Sequence, residues 1–140
     1  MDHLHETEHL RLWTGFASDY EENYECARAA AGCLAMATQD EAIALEVASL
    51  EKFKDNMMAV MECGRLEIMH RALAIIMNLV AHGGESKEKT IEAGFVTFCR
   101  AYVESFKNNE KADDMEFSPE EAQLLPVTVN IAKKVVSLAA

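Results

Sequence analysis

A stretch near the start of the chain is echoed 43 residues later. Cys26 to Met36 reads CARAAAGCLAM, and Met69 to Leu79 reads MHRALAIIMNL. Laid over one another, Arg28 falls on Arg71, Ala29 on Ala72, Ala31 on Ala74 and Leu34 on Met77. A period in the forties constrains the fold more than any other feature of the chain. It belongs to stacks of small helical units, each of which buries its apolar face only against its neighbours. Such stacks generally bind partners rather than catalyse reactions.

Composition agrees. The 140 residues amount to one domain, and a chain of that size buries roughly 68–70% of its unfolded surface. Half the residues are hydrophobic, which argues against disorder. With 6 Gly and 2 Pro the chain suits helices joined by short connections. The formal charge of −11 sets nucleic acid and anionic membranes aside as partners; the acids are read first as solvated helix faces, and otherwise as suited to a basic protein surface. Cys26, Cys33, Cys63 and Cys99 form no C-x-x-C pair and sit among apolar residues, so they are expected to be buried thiols of a reducing compartment. No apolar window is long enough for a membrane span, and the acidic start is no signal peptide. The expected location is the cytoplasm.

The periodicity predicts helices over 3–17, 23–37 and 50–63, a strongly apolar one over 66–82, and another over Phe95 to Phe106. Thr38-Gln-Asp-Glu41 has the form of a capping box opening a short helix through Val47. Gly64 and the pair Gly83-Gly84 are stops, and Ser86 to Ala93 is a short helix broken by Gly94. Residues 108–117 form an acidic loop. Ser118-Pro-Glu-Glu121 is a second capping box, and Pro126 is expected to kink the final helix. Met57, Met58, Met61, Met69 and Met77 fall at helical spacing, as core or as a soft binding surface. The cycle is short helix, medium helix, long buried helix. One domain over 1–140 thus divides into 3–38 (the last two helices of a leading repeat), 39–84 (a second repeat) and 85–140 (a C-terminal repeat with the acidic loop).

Ile91-Glu-Ala-Gly94 and Met77-Asn-Leu-Val-Ala81 resemble the helix junction and third-helix end of an armadillo repeat. The expected fold is therefore all-α, an armadillo-type right-handed α-solenoid fragment of about two to three repeats. More narrowly, Arg28-Ala-Ala-Ala-Gly-Cys-Leu-Ala-Met36, then Met69-His-Arg-Ala72 with Met77-Asn-Leu79, resemble the C-terminal part of the UCS domain of myosin-directed chaperones. The likeness spans most of residues 10–107. It implies a non-enzymatic chaperone for folding and assembly of the myosin motor domain. In that family a heat-shock chaperone is bound through an N-terminal module that is absent from this chain. An armadillo adaptor for another protein partner is the alternative.

On the 66–82 helix Glu67, Arg71, Ala74, Asn78 and His82 share one face, the polar stripe of that helix. One period earlier the same positions are Tyr24, Arg28, Ala31, Ala35 and Gln39. Stacking would align the stripes, making Tyr24, Arg28, Glu67, Arg71, Asn78 and His82 a candidate groove for an extended peptide. The Asn78 amide can both donate to and accept from a peptide backbone, as the resemblance to armadillo repeats implies for that position. Alternatively, the two arginines bridge neighbouring helices and Asn78 caps a turn. No motif calls for a cofactor. Exposed apolar ends of so short a stack would favour self-association.

His5-Glu-Thr-Glu-His9 matches H-E-x-x-H, which on a helix could hold zinc with Glu6 as general base and Glu25 as third ligand. Without a following His or a sheet to form a cleft, a zinc hydrolase is the remote reading. A polar helix end is the plainer one.

Overall fold

A computed structural model describes residues 24–50, 52–62, 65–106 and 119–140. The expected first helix with His5 and His9, the stop at Gly64, Cys63, the acidic loop and Ser118 lie outside these residues. The described residues are all-α and contain no strand. In chain order the helices are α1 (Tyr24–Ala37), α2 (Glu41–Ala48), α3 (Phe53–Met61), α4 (Leu66–Ala81), α5 (Gly84–Glu92), α6 (Phe95–Phe106), α7 (Pro119–Ala122) and α8 (Leu125–Ala139).

The order short, medium, long occurs twice, as α2-α3-α4 and as α5-α6-α8, with α1 as a preceding long helix. The long helices form one layer, with α4 between α1 and α8, and α2 packs on α5. This middle position explains the apolar excess of α4. Nine of its 16 residues are buried, on both flanks, because two helices cover it. A leucine or isoleucine fully removed from water contributes about 1.5–3 kcal/mol, so α4 is held by burial far more than by helix propensity. On α1, Ala27, Ala30, Ala31 and Leu34 are buried at i, i+3, i+4, i+7, and their small side chains let α4 approach. Phe53 of α3 and Phe95 of α6 meet with ring centroids 5.2 Å apart, which joins one unit to the next. Met57, Met61 and Met69 are buried, and Met58 and Met77 half-buried against the same core. No helix of the described residues is long and apolar enough to cross a membrane.

Three local expectations are corrected. The N-cap of α2 is Asp40, with extended backbone and a carboxylate accepting from Ile43 N at 3.1 Å. Thr38 continues the last turn of α1, and its buried hydroxyl donates to Leu34 O at 2.7 Å. An N-cap needs the extended conformation, and Thr38, whose N–H bonds Leu34 O, is still in the α1 ladder. Pro126 does not kink a continuous helix. A turn at residues 123–124 separates α7 from α8, and Pro126 sits in the first turn of α8, where its missing N–H would have had no intrahelical partner. The short helix after Gly83 (φ 73°) begins at Gly84 rather than Ser86.

The cysteines also differ from expectation. Cys99 is buried, and desolvation pushes its thiol up to about 12. Cys26 is half-buried and Cys33 exposed, because the inward stripe of α1 passes through Ala30 and Leu34 and leaves Cys33 on the outer side. A thiol reagent is therefore expected to modify Cys33 in the native protein and Cys99 only on unfolding. Equal rates at the two positions, read by peptide mapping, would contradict this packing.

Candidate functional site: the polar seam between the first two long helices

The 43-residue echo is a physical register. Tyr24 Oη donates to Glu67 Oε2 at 3.2 Å, Arg71 Nη1 to the Arg28 carbonyl at 2.7 Å, and Asn78 Nδ2 to the Ala35 carbonyl at 2.9 Å, each pair 43 residues apart. Asn78 Nδ2 also donates to Thr38 Oγ1 at 3.1 Å. His82 Nε2 lies 2.9 Å from the Thr38 carbonyl; since a carbonyl only accepts, this contact selects the tautomer with the proton on Nε2. All six residues chosen from the sequence thus lie along one seam, where α1 meets α4.

Each contact has a local cause. The carbonyl of Ala35 lies in the last turn of α1, where intrahelical partners run out, and Thr38 Oγ1 reaches it only at 3.4 Å. Asn78 supplies a partner from the next unit, as a side-chain cap acting across the stack. The Arg28 carbonyl lies inside the helix, and Arg71 reaches its second lone pair across Gly32. A Cβ at Gly32 would stand 2.7 Å from Arg71 Nη1. Gly32, Arg65, the seam role of Thr38 and the pairing role of Glu25 were not singled out from the sequence. The signal available was a lone glycine in an alanine-rich helix, which costs about 1 kcal/mol against alanine and so calls for a reason.

At the open edge of the seam Arg28 donates to Glu67 at 2.7 Å and to Glu25 at 2.8 Å. The Arg65 guanidinium lies 3.9 Å over the Tyr24 ring. Hydrogen bonding from Arg28 holds the Glu67 carboxyl below the usual range against the opposing effect of desolvation, with help from Tyr24. Hydrogen bonding to Glu67, then the charge of Glu25, raises Arg28. His70, half-buried on α4, is lowered by desolvation and then by Arg71. Both Arg28 and Glu67 side chains are 37% exposed, so solvent screens the pair and its worth is that of a surface bridge.

Because the folded pKa of Glu67 lies below its unfolded value, its contribution is fully present above the ordinary carboxylate range. It is lost as pH falls through the folded value. Denaturant titrations across acid pH are expected to show wild type and Glu67→Gln converging as pH drops. A gap that stays constant would contradict the assigned pairing.

The seam offers no nucleophile with a positioned base. Among the described residues no group of three His, Cys, Asp or Glu side chains is arranged to hold a metal. Glu25, the possible third zinc ligand, is paired with Arg28. Beyond His82 the seam opens into a cleft of about 330 Å³ between the starts of α2 and α5, lined by Glu41, Leu45, His82, Gly83, Glu85 and Ser86. Comparison with known proteins returned no match to a protein family, to a curated protein or to a solved structure.

Proposed function

We propose that the chain is a non-enzymatic protein-binding module, the C-terminal part of a cytoplasmic chaperone for folding and assembly of the myosin motor domain. The supporting observation is the register of the two motif-bearing helices. Arg28-Ala-Ala-Ala-Gly-Cys-Leu-Ala-Met36 and Met69-His-Arg-Ala72 lie side by side in α1 and α4, bonded residue to residue at the echo spacing. The seam holds the units together through its inner bonds. Its half-exposed rim of Tyr24, Arg28 and Glu67 stays open to a partner, with Glu25 fully at the surface. Charged rims of this kind choose partners and set association rates more than they add affinity.

The test is capture of a myosin motor domain by the wild-type chain and by the charge-swapped variant Arg28→Glu/Glu67→Arg. The swap keeps an ion pair across the seam while inverting the charges offered outward. Lost capture by a variant with wild-type helicity and melting would support the reading. Equal capture by both would remove the rim from the binding site. A folded wild type that captures no motor domain would sink the myosin assignment and leave the adaptor for another protein.

A further inference from the structure

We draw no further inference here: the strongest candidate, the cleft of about 330 Å³ between the starts of α2 and α5, is lined by the exposed carboxylates of Glu41 and Glu85 in the first turns of those two helices, and nothing in the structure points to what would occupy it.

Discussion

Phe95→Ala is expected to lower stability by about 3–5 kcal/mol. The ring is fully buried and begins α6 directly after Gly94, whose φ of 93° turns the chain into that helix. Its tilted contact with Phe53 spans the boundary between the two units, and Phe53 is itself only 3% exposed. Truncation therefore leaves a cavity at the joint rather than inside one unit. Total stabilities of domains run about 5–15 kcal/mol, so the loss is a large fraction of the whole. Urea unfolding of the single and double alanine variants separates packing from pairing. Aromatic pairs contribute about 0.5–1.5 kcal/mol beyond area, so Phe95→Ala should cost less by that amount once Phe53 is already alanine. Strict additivity, or a loss below about 1 kcal/mol for Phe95→Ala, would contradict the inter-unit packing.

The next largest effect is expected at Asn78. Removing its amide leaves the Ala35 carbonyl and the buried Thr38 hydroxyl without that donor, at a cost of about 1–3 kcal/mol. The damage should be local. Hydrogen exchange is expected to quicken in the last turn of α1, although the substitution is on α4. Asn78→Asp makes the test chemical rather than steric. Aspartate has the same shape, but its carboxylate cannot donate to a carbonyl, so its loss should be no smaller than that of Asn78→Ala. An Asn78→Asp variant as stable as wild type would show that the amide is not the cap.

Much of the fold was legible because the echo and the apolar periodicity are global signals. They place α1, α4 and α6 within about one residue at each end and put two covered faces on α4. The misreadings are local. Thr38 and Asp40 both suit an N-cap, and only the backbone path decides between them, since the N–H and hydroxyl of Thr38 both bond Leu34 O and close the end of α1. Pro126 is compatible with a kink or with a first turn, and the choice depends on whether the preceding turn at residues 123–124 joins the helix. Cys33 looks apolar in a helix with apolar residues on most sides, but alanine is so frequent there that the pattern does not locate the outer face.

The candidate site was legible as a set and less so as a chemistry. Spacing shows that Glu67, Arg71, Asn78 and His82 share a face, but not whether that face meets an open groove or the neighbouring helix. The structure turns the donors of Arg71, Asn78 and His82 toward α1, where they serve the register, and the rim around Arg28 and Glu67 remains for a partner. The same reasoning gives Gly32 its place. It is the position where a guanidinium must cross one helix to reach a carbonyl of that helix.

The 43-residue echo is this register, set by Arg71 crossing Gly32 to the Arg28 carbonyl. It is tested most directly by Gly32→Ala in two backgrounds. In the wild type, alanine gains about 1 kcal/mol of helix propensity but displaces a charged hydrogen bond that contributes about 1.5–3 kcal/mol. The variant should therefore be less stable by about 0.5–2 kcal/mol. In an Arg71→Ala background there is no guanidinium to displace, and the same substitution should raise stability by about 1 kcal/mol. That reversal of sign, measured by denaturant unfolding, is the expected result. The same sign and size in both backgrounds would contradict the register and the account of the seam built on it.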